Sequence, residues 1–120
     1  MDSLGGAYQK QIGLSLINSK IVGISLVRDD DRFLNTVIKN VMEFCDELII
    51  ADHQSKDRTA SIAKGYADFH EKVAYHRIAA PHESHELIRP YCGQPVWLFA
   101  VDGDEIYETD QLAIFKQQLL

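Results

Sequence analysis

The sequence holds only two cysteines, Cys45 and Cys92, in 120 residues. That is too few for a disulfide framework, and no CxxC spacing offers a metal or redox pair. A reduced, cytoplasmic setting is expected, with a membrane surface left open as a peripheral contact. Basic residues are also short: 12 Lys and Arg stand against 18 Asp and Glu, a formal charge of −6. They are scattered, whereas nucleic-acid binders gather Lys and Arg on one face, so no nucleic-acid partner is expected. No apolar run reaches the ~20 residues that span a bilayer. The most apolar stretch near the N-terminus, from Ile12 to Val27, is broken by Asn18, Ser19 and Lys20. The start, Met1-Asp2-Ser3, is acidic where an export signal is basic. GxGxxG and P-loop motifs are both missing, which disfavours a dinucleotide enzyme or a P-loop ATPase. There is no internal repeat and no low-complexity tract.

What remains is an ordinary globular composition, 46% apolar and 25% charged. A chain of this length is one domain or part of one, able to bury roughly two thirds of its unfolded surface. Residues 1–19 read as an arm, with Ile12, Leu14, Leu16 and Ile17 able to add an edge strand or dock a partner; residues 20–120 read as the domain. Short apolar, β-branched runs at 21–27, 48–52, 73–78 and 96–102 predict strands. Between them lie helical stripes. Phe33, Val37, Val41, Phe44 and Cys45 form one, with Asp30 or Asp31 placed to cap it. Ile62, Ala63, Tyr66, Ala67 and Phe69 form another, capped by Ser55 or Asp57. Residues 84–91 suggest a short, poor helix broken by Pro90 and Gly93, and 109–119 a closing helix. Such alternation predicts a Rossmann-like α/β domain, three layers around a mainly parallel sheet.

Ligands of open parallel sheets sit outside the carboxyl ends of the strands. Three of the four strands here run into acids: Asp29-Asp30-Asp31, Asp52, and Asp102-Gly103-Asp104-Glu105. On one rim these charges would repel and raise one another's pKa, which implies a bound cation or protonation. Oxygen ligands select Mg²⁺, Mn²⁺ or Ca²⁺ over zinc. Asp102-Gly103-Asp104 is the sharpest feature, because its glycine lets the backbone approach a ligand closely. Asp52 could hold a base or ribose, or equally a turn; His53 is of interest only through Asp52. His82-Glu83-Ser84-His85-Glu86 lacks HExxH spacing and a third ligand. Cys45, Cys92, Trp97 and Phe99 read as packing residues.

These motifs resemble family 2 glycosyltransferases. Residues 21–30 resemble the opening strand and its polar turn. Asp46 to Thr59, DELIIADHQSKDRT, resembles the family's "DEIVVVDTGSTDGT" segment, and Trp97 to Glu105, WLFAVDGDE, its "WILFLDADE" form of the DxD motif. The resemblance covers Lys20 to Leu120. It implies the N-terminal, donor-binding half of a GT-A nucleotide-diphospho-sugar transferase with sheet order 3-2-1-4, and inverting transfer of a sugar to an unknown acceptor. It implies that Asp52 and Arg28 meet the nucleotide, that Asp102 lies near the ribose or sugar, and that Asp104, with Asp102, ligates Mn²⁺ or Mg²⁺. Arg89 would touch phosphate. Gln54 stands where the family has glycine, and 85–91 replaces a segment that carries Arg and Asn. The family's acceptor half and general base fall beyond Leu120, so binding without turnover is expected of this chain. A partner-binding module on the same fold, or a Mg²⁺-dependent phosphoryl-transfer enzyme, are the alternatives. Strand 96–102, apolar on both faces yet at the sheet edge, also suggests self-association.

Overall fold

The computed structural model describes residues 20–119. Four parallel strands, β1 (Lys20–Val27), β2 (Glu47–Asp52), β3 (Val73–Arg77) and β4 (Val96–Ala100), lie in the order β3-β2-β1-β4. Four helices alternate with them: α1 (Leu34–Met42), α2 (Thr59–Phe69), α3 (Ser84–Ile88) and α4 (Thr109–Leu119). Two 3-10 turns, Pro81–Glu83 and Arg89–Tyr91, flank α3, where the two prolines fit first-turn positions that have no N–H to satisfy. The candidate arm at 12–17 lies outside the described residues.

Right-handed crossovers decide which face each helix covers. The steps from β1 to β2 and from β2 to β3 run in one direction, so α1 and α2 share a face. The core sits there: Ile21 and Val27 of β1 and Leu48 and Ile50 of β2 meet Leu34, Val37, Ile38 and Val41 of α1 and Ala63 of α2. Each fully buried aliphatic side chain contributes about 1.5–3 kcal/mol. Gly23 belongs to this interface too, since a Cβ there would lie 2.7 Å from Cys45 Sγ. The step from β3 to β4 runs the other way and carries short α3 to the opposite face, against β1. That second layer is thin. Helix α4 returns to the first face, where Phe115 stacks on Phe44 at 5.9 Å.

The structure corrects several expectations. Neither Asp30 nor Asp31 caps α1 with its side chain; the Asp30 backbone carbonyl accepts from Phe33 and Leu34 N–H instead. Asp57, not Ser55, serves the start of α2, its Oδ1 accepting from Thr59 N at 2.8 Å. Helix α1 ends at Met42, and Phe44 and Cys45 join the core from the turn beyond it. Strand β4 stops at Ala100, two residues early, although Val101 N still donates to Ile24 O of β1 at 3.1 Å. Trp97 and Leu98 are not core residues but 41% and 49% exposed, and Cys92, also expected to pack, lies exposed in the turn after α3. No described strand borders the outer edge of β4, and thin α3 leaves its second face open. Burial pushes the Cys45 thiol up to about 11, which fits packing and not nucleophilic use.

Candidate functional site at the carboxyl rim

The first two strands end in matching turns. Val27 and Asp52 are register partners, Arg28 and His53 follow them, and Asp29 (φ 51°) and Gln54 (φ 53°) then adopt the left-handed conformation. This backbone costs an L-residue roughly 1–2 kcal/mol, less for Asp, so something must hold it. At Gln54 it also explains why glycine would be at home there. What holds it is a set of bonds between the two loops. Asp29 N donates to Ser55 Oγ (2.9 Å), Asp30 N to Thr59 Oγ1 (2.8 Å) and Asp31 N to Asp57 Oδ2 (3.2 Å). In return Lys56 N donates to Asp29 Oδ1 (2.7 Å) and Arg58 N to Asp31 Oδ2 (3.3 Å). Ser55 and Thr59 are buried acceptors in the middle of this set.

Asp52 has a different place from an open ligand contact. It is 0% exposed. Its Oδ1 accepts from Ser55 N at 2.9 Å, and its Oδ2 accepts from the Tyr75 hydroxyl at 2.5 Å, with Arg77 Nη1 3.6 Å away. Tyr75 and Arg77 come from β3, on the same sheet face as Asp52. A buried carboxylate is tolerated only when paired and hydrogen-bonded, and this one is.

The third acidic loop arrives through Gly103. A Cβ there would overlap the Asp30 carboxylate and lie 2.9 Å from Val27 Cγ1. Only glycine allows the Asp102–Asp104 turn to lie this close to the end of β1. The turn is braced behind: Asp102 N donates to Glu105 Oε1 (2.7 Å), and the Asn40 side chain bonds both Tyr107 N (2.7 Å) and Tyr107 O (2.6 Å). Asp102 and Asp104 themselves are exposed. Burial first, and then the charges of Asp104, Asp57 and Asp102, push the Asp30 carboxyl above the ordinary aspartate range, while the Arg28 N–H pulls it down. Among the described residues no three His, Cys, Asp or Glu side chains are arranged to enclose a metal ion. Asp102 and Asp104, both exposed, could offer at most one or two carboxylates to a hard cation, which takes oxygen ligands.

Of the other expected site residues, Arg28 stands on the rim, its Nη1 3.4 Å from His53 Nδ1. Arg89 does not join them. It pairs with Glu86 at 2.7 Å, and its neighbours Pro90 and Tyr91 line a groove with Glu47, Glu71 and Lys72 at the amino ends of the strands. The Tyr91 hydroxyl bonds Glu47 there at 2.5 Å. That is the opposite end of the sheet, because the chain has already run its length through α3. Sequence reasoning missed Tyr75 and Arg77, whose only signal was register alignment with Asp52.

No family model matches the chain, and no curated protein matches it. Among solved structures it is similar to S. aureus TarS 1–349 in complex with UDP, with TM-score 0.60 and 14% identity. The match covers 82% of this chain and 32% of the TarS 1–349 chain, so this chain spans about a third of the length of the chain it matches. The likeness and the sheet order together show a glycosyltransferase-like α/β fold, with the acids gathered where that fold presents its carboxyl rim.

Proposed function

We propose that the chain binds a nucleotide-diphospho-sugar as the donor-binding part of an inverting, family 2-like glycosyltransferase. The observation that supports this most is the seating of Gly103 on Asp30 and Val27, which puts Asp102 and Asp104 beside the end of β1. In this reading Asp104, with Asp102, ligates Mn²⁺ or Mg²⁺, and Arg28 adds positive charge toward the nucleotide. When bound, the cation neutralises the diphosphate that leaves as the sugar bond breaks. The chain's own residues bind and orient: the cross-bonded loops fix the rim, and Asn40 holds the acidic turn in place. TarS bound to UDP makes uridine diphosphate the first nucleotide to try.

The test is titration of the chain with UDP, GDP and dTDP, with and without Mn²⁺. Metal-dependent binding of one nucleotide is expected. Asp104→Asn should then weaken it at least tenfold while the melting temperature barely moves, because Asp104 is exposed at the rim. Unchanged metal-dependent affinity in that variant would remove Asp104 from the site. Silence with every nucleotide would favour a partner-binding module, and phosphatase activity without base preference a phosphoryl-transfer enzyme.

A further inference from the structure

We infer that His53 is the base-reading residue of this site, that Arg28 positions it, and that Asp52 is withdrawn from the ligand. The inference rests on the nucleotide reading above and deepens it. Asp52 has no exposed surface, and Ser55 N, the Tyr75 hydroxyl and Arg77 already surround its carboxylate. For it to meet a base, Tyr75 would have to leave and a buried charge would have to open. Its work is to clasp the ends of β2 and β3 beneath the turn that carries His53.

His53 stands one residue further out on the rim. A guanidinium always donates, so a hydrogen bond across the 3.4 Å from Arg28 Nη1 would make His53 Nδ1 the acceptor and leave the ring proton on Nε2. Nε2 has no hydrogen-bond partner among the described residues. It is a directed donor, suited to an acceptor oxygen. Position selects which one. The acidic turn after β4 lies against β1, and His53 ends β2, two strand spacings or about 10 Å along the rim from β4. A diphosphate held at the acidic turn would therefore place its nucleoside over His53, where a pyrimidine carbonyl oxygen meets the donor. The strained turns at Asp29 and Gln54 fix the backbone beyond both members of the pair, as expected where geometry matters more than local stability.

Calorimetry on the full chain tests this, with UDP and with inorganic pyrophosphate, both in Mn²⁺. His53→Ala should weaken UDP about tenfold or more and leave pyrophosphate unchanged. His53→Gln, which keeps a donor, should recover much of the loss. Tyr75→Phe should lower the melting temperature yet hold UDP affinity within about twofold. Nitrogen NMR of the unliganded chain should show the His53 proton on Nε2, and Arg28→Ala should erase that preference. Undiminished UDP binding by His53→Ala, a tenfold change in affinity with Tyr75→Phe, or a proton on Nδ1 would each overturn the inference while leaving the nucleotide reading intact. A wild-type chain that binds pyrophosphate but not UDP would overturn the inference, and one that binds neither would overturn both.

Discussion

At single residues, the rim is governed by close approach and uncompensated charge. Gly103→Ala would push a methyl group into Asp30 and Val27. Overpacking of this kind costs about 1–3 kcal/mol, visible as a lower urea midpoint. The cost should shrink when Asp30→Gly is added, because the two sites share the contact. Asp30 itself carries a folded-state pKa raised above its ordinary value of 3.8. Between the unfolded and folded values the native state then holds more protons than the unfolded one, so stability falls as pH rises through that window. Asp30→Asn keeps an acceptor for the Arg28 N–H and removes the charge. The variant should melt higher than wild type at neutral pH, and the difference should vanish as pH falls below 3.8. Equal melting temperatures at pH 7 would show that the repulsion is fully screened.

Among elements, the β1–α1 and β2–α2 loops form a single unit, and Thr59 is its most buried member. Thr59→Val keeps shape but orphans the Asp30 N–H. It should cost about 1–3 kcal/mol by denaturant unfolding and speed amide exchange at Asp29 and Asp30, not only at position 59. Strands, helices and the convergence of acids were legible in the sequence, because periodicity and a carboxylate at a strand end are local signals; the sheet order, which is not local, came with the family resemblance. Side-chain partners across the sheet were not. Tyr75 in an alternating strand reads as packing, and only register with β2 delivers its hydroxyl to Asp52. Arg89 misled for a related reason: motif order put it next to the site, while α3 carried it the length of a strand away. Trp97 misled because a strand's composition says nothing about what lies beside it.

In the molecule as a whole, the two sheet edges differ. Strand β3 ends in His76 and Arg77 and follows Glu71 and Lys72, a charged edge of the kind that discourages pairing. Strand β4 has five uncharged residues, Val96 to Ala100, with exposed Trp97 and Leu98 and, on α4, exposed Ile114 and Phe115. Concentration-dependent self-association of the chain is expected in sedimentation, and Leu98→Lys should abolish it without changing the circular dichroism spectrum. A wild-type monomer at every concentration would refute it. The sheet order has a consequence in time as well. Strands β1, β2 and β3 are joined by short crossovers, whereas β4 pairs with β1 only after Lys20 finds Val96, across most of the described chain. Loop closure of that length is slow compared with neighbouring contacts. During synthesis the first three strands emerge and can pair while β4 is still being made. The acidic turn behind β4 is therefore expected to join the rim after the two cross-bonded loops, so that its carboxylates complete a half-rim already in place.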